Sequence, residues 1–271
     1  FIEEIFWRTY WKGWLESRPW IYNEYKANDK DQSIPKKTGI KCFEHWKEEL
    51  LDTGYLHNHS RMWFASIWIF TLGYSWQSGA NFFKNNLLDY CPASNTLGWR
   101  WVAGSQTIGK PYIAKADNIK FFTNGRFYPR NQLKENYILN DKNITNRKPI
   151  NFNRSEKNII NKNKNLGVIL NNNDLSLHHL LNEKELVYDC CLFSYKHKND
   201  LINKLQKKIF DDIRNKKNEI VNVNNFQDIY KWLKDKGIKN LILPYETVGN
   251  KIFNEKQFLK TITNLKVNYT F

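Results

Sequence analysis

The segment from Asp89 to Trp101 places a carboxylate, a carboxamide and two indoles close together in the chain. Asn95, Trp99 and Trp101 carry polar groups that need hydrogen-bond partners when they are buried, so packing alone poorly explains such a cluster. If the segment is extended, Trp99 and Trp101 face one side, whereas an irregular turn at Gly98 splays them apart. We interpret the segment as the wall of a pocket for a flat, partly polar ligand.

A second chemical signal is a guanidinium inside an apolar helix. The pattern from about His59 to Leu72 is apolar nearly all round and predicts a core helix that Gly73 ends. Arg61 lies within it, and a buried guanidinium requires a partner. His57 and His59 alone do not make a metal site, because no cluster of cysteine, histidine or acid completes one, so we predict no metal.

Helical patterns fill the rest of the first half of the chain, residues 1–133. Ten of the eleven tryptophans lie in residues 1–101, which marks this half as different in character from the second. Pro19 ends the first helix, residues 26–37 form a polar loop, and Ser78 is the predicted N-cap of the fourth helix. Besides the core helix, the predicted helices are Ile2 to Trp14, Cys42 to Asp52 and Ser78 to Leu88.

The second half predicts a small α/β domain. Residues 134–165 are rich in Asn and Lys and read as a linker. Residues 166–271 then alternate apolar runs with helical patterns, which favours a mainly parallel sheet. No glycine-rich phosphate loop follows the first run. The predicted strands are Leu166 to Leu170, Leu186 to Phe193 and Asn240 to Pro244, and the predicted helices are Asp200 to Lys216 and Asn225 to Lys236.

Composition narrows the class of protein only slightly. The 271 residues carry a formal charge of +15, but Lys and Asn are enriched together, so the charge is weak evidence for nucleic acid. No apolar run is long enough to span a membrane. Four cysteines without zinc spacing predict buried thiols in a reducing, intracellular and cytoplasmic setting. They are Cys42, Cys91, Cys190 and Cys191.

Three segments together resemble the flavin-binding helical domain of the photolyase/cryptochrome family. They run from Glu4 to Arg8, from Thr53 to Met62 and from Trp76 to Trp101, with order and separations similar to that family's over about residues 1–130. The resemblance implies an all-α FAD-binding domain in residues 1–133, with FAD as cofactor and the antenna pigment undetermined. The family's upstream helices are missing, and the chain starts at Phe1 in a helical pattern, so we expect an N-terminally truncated fragment.

The resemblance also implies which residues hold the cofactor. Arg61 and Asp89 match the family's ion pair beside the flavin ring, and Asn95 matches the residue that faces flavin N5. An amide there is no carboxylic proton donor, which suits a flavin kept as a reduced anion. Cys91 stands where the family usually has a second acid. The full set of predicted cofactor-binding residues is Tyr55, Asn58, Arg61, Asp89, Cys91 and Asn95.

The remaining matches concern electron transfer and substrate. Trp99 and Trp76 match the inner and middle members of the electron-transfer chain of tryptophans, and the outer member stays unassigned, with Trp20 as a candidate. Arg8 and Arg100 are candidates for DNA phosphate contacts. The predicted catalytic residues are Glu4, Trp99 and Trp76, and the predicted substrate-binding residues are Glu4, Trp7, Arg8, Asn58, Met62 and Trp101.

These matches imply a function and leave alternatives open. The resemblance implies a monomeric deoxyribodipyrimidine photo-lyase, in which light-driven electron transfer from reduced FAD reverses cyclobutane pyrimidine dimers in DNA. The pair His57-Asn58 favours this class, because the (6-4) enzymes show two adjacent histidines there. The alternatives are a cryptochrome-type photoreceptor and a non-catalytic flavin- or DNA-binding relative. Residues 168–175 and 241–248 resemble parts of the family's antenna domain, which suggests an antenna-like origin for residues 166–271.

Overall fold

The computed structural model describes residues 2–27, 37–136, 147–150, 165–171, 175, 187–216, 220–250, 252–253 and 255–270. The chain divides into two compact units, residues 1–152 and 153–271. The division falls inside the segment 134–165 that the sequence assigned to a linker, and most of that segment lies outside the described residues. Each unit is described by itself.

The first unit is helical wherever the structure describes regular elements in it, as the sequence predicted. The predicted core helix is confirmed, but its second half is a π-helix, and Gly73 follows with a positive φ of 74°. Pro19 separates the first two helices. The elements are α1 (Ile2–Glu16), α2 (Pro19–Ala27), α3 (Lys41–Thr53), α4 (Asn58–Ser66) with the π-helix Ile67–Thr71, α5 (Trp76–Asn86), α6 (Pro92–Val102) and α7 (Ala116–Phe122).

Stacked aromatic rings form the core of this unit. The ring of Phe64 stacks on Phe43 at 4.4 Å and lies 5.8 Å from the indole of Trp68. The indole nitrogen of Trp68 donates to the Ser78 hydroxyl at 3.1 Å, so this buried donor is satisfied. The predicted role of Ser78 as N-cap is wrong, because α5 begins earlier and Ser75 accepts the capping bond from the Ser78 amide at 3.2 Å.

The interpretation of Gly98 as a turn is also wrong. The helix α6 covers Pro92–Val102, and Gly98 lies in its interior. Pro92 occupies the first turn, where proline is a common helix start, and this is the signal that sequence reasoning missed. On a helix, side chains two positions apart in sequence are separated by about 200° around the axis. Trp99 therefore faces the core, whereas Trp101 is half-buried.

The second unit contains a five-stranded parallel sheet with strand order β3-β2-β1-β4-β5. Its mainly parallel character was predicted. The two edge strands, β3 and β5, were missed, because three residues are too few to show a period of two. The helix before β5 was also missed. The elements are β1 (Leu166–Asn171), β2 (Asp189–Phe193), α8 (Asp200–Lys216), β3 (Val221–Val223), α9 (Phe226–Asp235), β4 (Asn240–Ile242), α10 (Lys256–Asn264) and β5 (Asn268–Thr270).

Gly167 on β1 makes a close approach that a larger residue would block. A Cβ built there lies 2.9 Å from Ile238 Cγ2 and 2.9 Å from Trp232 Cη2, both in the core of this unit. We expect Gly167→Ala to destabilise the second unit by roughly 1–3 kcal/mol, the usual range for overpacking. Urea denaturation followed by circular dichroism measures this. Gly13→Ala, where a Cβ meets nothing within 4 Å, is the control, and equal stability of the two variants would contradict the expectation.

All four cysteines are buried and none of them forms a disulfide, which fits the predicted thiols. Burial raises the pKa of the Cys42 thiol to about 11. Among the described helices, none is long and apolar enough to cross a membrane. Within the described ranges, no group of three or more His, Cys, Asp or Glu side chains could hold a metal ion.

Candidate functional site

A cavity of about 750 Å³ lies within the first unit, between α1, α4 and α6. Its volume is in the range of sites that hold small molecules and cofactors. Its lining includes every predicted site residue except Trp76. Those residues are Glu4, Trp7, Arg8, Tyr55, Asn58, Arg61, Met62, Asp89, Cys91, Asn95, Trp99 and Trp101.

The predicted ion pair forms one wall of the cavity. The Arg61 guanidinium donates from Nη2 to the two carboxylate oxygens of Asp89 at 3.0 and 3.1 Å. Its Nε donates to the Leu56 carbonyl at 2.7 Å, which fixes the guanidinium plane. The guanidinium carbon also lies 5.3 Å from the ring centroid of Tyr55, so the cation faces an aromatic surface.

A second guanidinium reaches the same aspartate. Arg8 on α1 donates to the Asp89 carbonyl at 2.8 Å and to its carboxylate at 3.5 Å. These two hydrogen bonds connect α1 to the segment before α6. They also engage the Arg8 guanidinium, which the sequence analysis had proposed as a contact to a DNA phosphate. Arg8 and Arg61 share one carboxylate, so these three side chains carry a local surplus of one positive charge, which the acid Glu4 offsets in the formal charge of the lining as a whole.

Asn95 is buried in the cavity wall and held in one orientation. Its amide nitrogen donates to the Ala80 carbonyl at 2.8 Å, which joins α6 to α5. This bond leaves the side-chain oxygen of Asn95, a hydrogen-bond acceptor, and the second N–H of the amide for a ligand. This is the residue type that the resemblance expects beside a flavin ring, with an acceptor in place of an acid.

Ten lining residues were not predicted as site residues from the sequence, and three of them bear on the chemistry of the cavity: Tyr90, Ser94 and Gly98. Ser94 Oγ and Trp99 Nε1 are buried and have no hydrogen-bond partner among the described residues. Burial, with Tyr22 and Tyr25 nearby, raises the pKa of Tyr90 far above its ordinary value, so the phenol stays protonated. Polar atoms without partners around a cavity indicate a polar ligand. The missed signal is helical spacing, because Ser94, Gly98 and Trp101 share one face of α6.

The two tryptophans predicted for electron transfer have different surroundings. Trp99 is 3% exposed and packs edge-on against Phe83 at 5.1 Å and Trp68 at 6.2 Å. Trp76, outside the cavity lining, stacks on Tyr25 at 5.7 Å. The contacts with Trp68 and Tyr25 were not predicted from the sequence. Trp20 lies on α2, outside the lining.

The residues predicted for substrate lie toward the open side of the cavity. Trp7 is 57% exposed and stacks on Trp11 at 5.8 Å, while Trp101 stacks on Tyr112 at 5.4 Å. Glu4 and Asn58 are exposed, and Met62 is half-buried. Arg100, the other candidate phosphate contact, donates to the Ser105 carbonyl at 3.2 Å and lies outside the lining.

Comparison with known families identifies the helical first unit that contains this cavity as a flavin-binding domain. Residues 1–140 match the family model described as the FAD binding domain of DNA photolyase. The chain belongs to this family, which confirms the resemblance inferred from the three segments. The match ends before the second unit, so an antenna-like origin for residues 166–271 stays a prediction.

Curated relatives include both photolyases and a cryptochrome. A deoxyribodipyrimidine photo-lyase of Alkalihalophilus pseudofirmus is 27% identical over 133 residues, covering 42% of this chain and 26% of that protein. The deoxyribodipyrimidine photo-lyase of Escherichia coli is 30% identical over 127 residues, covering 41% and 26%. A cryptochrome DASH of Gloeobacter violaceus is 31% identical over 116 residues, covering 38% and 23%.

The chain therefore matches about a quarter of the length of these relatives. No solved structure matches it. The cavity residues nevertheless fit the ring of FAD. The positive surplus at Arg8, Arg61 and Asp89 suits an electron-rich ring, and the Asn95 acceptor suits a ring N–H. Ser94, which also lines the cavity, has a buried hydroxyl with no hydrogen-bond partner among the described residues.

Proposed function

We propose that this protein takes part in light-driven, FAD-dependent repair of cyclobutane pyrimidine dimers in DNA. The observation that carries the proposal is one cavity lined both by the predicted flavin contacts and by the predicted dimer contacts. The names of the photo-lyase relatives support it. Two indoles and a thioether on the open side suit the saturated, bent ring system of a dimer.

Bound reduced FAD supplies the electron on excitation by light, and the chain's own residues hold and bias that group. Arg61 and Arg8 favour an anionic ring through their shared positive surplus. Asn95 accepts a hydrogen bond and has no acidic proton to give. Trp99, buried against the aromatic core, and Trp76 on α5 are placed in the proposal as electron donors that reduce the flavin, not as participants in dimer splitting.

In this proposal, polar side chains of the cavity lining form hydrogen bonds with the carbonyl edges of the dimer. The Glu4 carboxyl group and the Asn58 amide are the polar side chains available there. Trp7 and Trp101 give flat surfaces for the rings, and Met62 fills the space between with a polarizable side chain. Glu4 and Trp7 are exposed, which in this proposal lets a base flipped out of a duplex reach them.

The test is a blue-light repair assay with the full-length protein and a dimer-containing oligonucleotide. We expect Glu4→Ala to lower the repair rate about tenfold or more, since it removes a hydrogen bond of a chargeable group, and Trp101→Ala to lower it further. Glu3→Ala is the matched control, because Glu3 is an exposed acid of the same helical turn outside the lining. Repair at the wild-type rate by both Glu4→Ala and Trp101→Ala would show that the pocket assignment is wrong.

A cryptochrome-type photoreceptor is the second candidate function, favoured by the cryptochrome DASH relative. It uses the same flavin and the same tryptophans but repairs no dimers. A protein that binds FAD and reduces it under blue light without repair would support this function. A protein that binds no FAD would instead be a non-catalytic relative.

A further inference from the structure

Gly98 lies in the cavity wall at a position where the helix has no need of glycine. It is in the interior of α6 and is not among the glycines with positive φ. A Cβ built there meets no atom within 4 Å, so packing within the protein does not require glycine either. Alanine is favoured over glycine in a helix interior. Gly98 therefore lowers the stability of α6, and neither the backbone conformation nor the packing of the protein requires a glycine there.

We propose that Gly98 is a specificity-determining residue, whose missing Cβ lets a planar ring lie directly against the backbone of α6. The inference rests on the proposed function in one respect, because the ring is taken to be that of FAD. Glycine is the usual residue where a ligand approaches the backbone closely. The open space beside Gly98 belongs to the cavity that the ring would occupy.

The neighbours of Gly98 on the same face of α6 fit this role. Ser94 lies one turn before it with a buried hydroxyl that has no partner among the described residues. Trp101 lies one turn after it and is held by its stack on Tyr112 at 5.4 Å. A ring held against Gly98 lies between a hydrogen-bonding group and an aromatic face, which is the arrangement that a flat, partly polar ligand requires.

Other helical glycines of the chain provide the contrast. Gly79 on α5 is needed by packing, because a Cβ there would overlap the indole of Trp99. Gly13 on α1 is exposed and outside the lining, and a Cβ there also meets nothing within 4 Å. Gly13 thus shares the helical setting and the open space of Gly98 but not its place in the cavity, so it is the matched control.

The test compares Gly98→Ala, Gly98→Leu and Gly13→Ala in the full-length protein. Thermal unfolding of the flavin-free protein and the Kd for FAD, from quenching of flavin fluorescence, are both measured. We expect Gly98→Ala and Gly13→Ala each to raise the Tm by about 2 °C through helix propensity. We expect Gly98→Ala to weaken FAD binding about tenfold and Gly98→Leu to weaken it further. Gly13→Ala is expected to bind FAD as tightly as the wild type.

The outcomes separate this inference from the proposed function. If Gly98→Ala binds FAD as tightly as wild type, or if its flavin-free Tm falls, the inference is overturned even when dimer repair is observed. If Gly98→Ala weakens FAD binding as expected in a protein that repairs no dimers, the inference stands and the repair proposal fails. A wild-type protein that binds no FAD overturns both.

Discussion

Replacing Arg61 with methionine is expected to weaken FAD binding by about tenfold to a hundredfold. The guanidinium makes two hydrogen bonds to Asp89 and one to the Leu56 carbonyl, so its loss leaves the carboxylate with Arg8 alone and releases the segment before α4. Charge-assisted bonds contribute roughly 1.5–3 kcal/mol each when buried. The Asp89 side chain is 38% exposed, so solvent screening reduces their effect and the lower part of the range applies.

Two further variants show which property of Arg61 matters. Arg61→Lys keeps the charge but not the planar donor fork, so we expect an intermediate loss of FAD affinity. Arg126→Met is the matched control, since Arg126 is an exposed arginine whose guanidinium lies 5.1 Å from the Phe127 ring, outside the cavity lining. Fluorescence titration of the full-length proteins with FAD measures the affinity. Equal affinity of Arg61→Met and wild type would contradict the role of the ion pair.

Asp89 explains why three separate parts of the chain are needed to make one site. Arg8 comes from α1, Arg61 from α4, and Asp89 from the segment between α5 and α6. Both guanidiniums converge on this one carboxylate, at 3.5 Å and 3.0 Å. The ion pairs thus hold the three elements in place and leave a local positive surplus beside Asp89, which a single arginine would not provide.

The sequence predicted those parts of the site that have a strong chemical signature. A guanidinium within an apolar helix requires a partner, and the resemblance then pointed to Asp89 as that partner. The buried tryptophans and the Asn95 amide were conspicuous for the same reason, because their polar atoms need partners in a core. Long helices and the central strands were predicted from periodicity, which is strong when many residues repeat it.

What the sequence did not predict depends on contacts between distant residues. Helix α6 was missed because Gly98 suggested a turn, and with it the face shared by Ser94 and Gly98 was missed. Arg8 reaches Asp89 across 81 positions, a pairing that no local pattern indicates. The edge strands β3 and β5 are held by register with their neighbours and have almost no periodicity of their own.

Replacing Gly79 with alanine is expected to destabilise the first unit through a steric clash with Trp99. A Cβ at Gly79 would overlap Cη2 and Cζ3 of Trp99, far inside van der Waals contact. The indole has little room to yield, because Phe83 and Trp68 pack against it edge-on at 5.1 and 6.2 Å. Overpacking of this kind destabilises a core by roughly 1–3 kcal/mol.

The displaced indole should also change the photochemistry that the proposed function assigns to it. We expect Gly79→Ala to lower the free energy of unfolding and to slow the reduction of bound flavin under blue light, whereas Gly98→Ala raises the stability of the flavin-free protein. Trp99→Phe separates the two effects, since it removes the indole and leaves room beside Gly79. Urea denaturation and the flavin absorbance during illumination are the measurements. A Gly79→Ala protein with wild-type stability and wild-type photoreduction would show that α5 shifts to make room, and that the approach of α5 to Trp99 is not needed for either property.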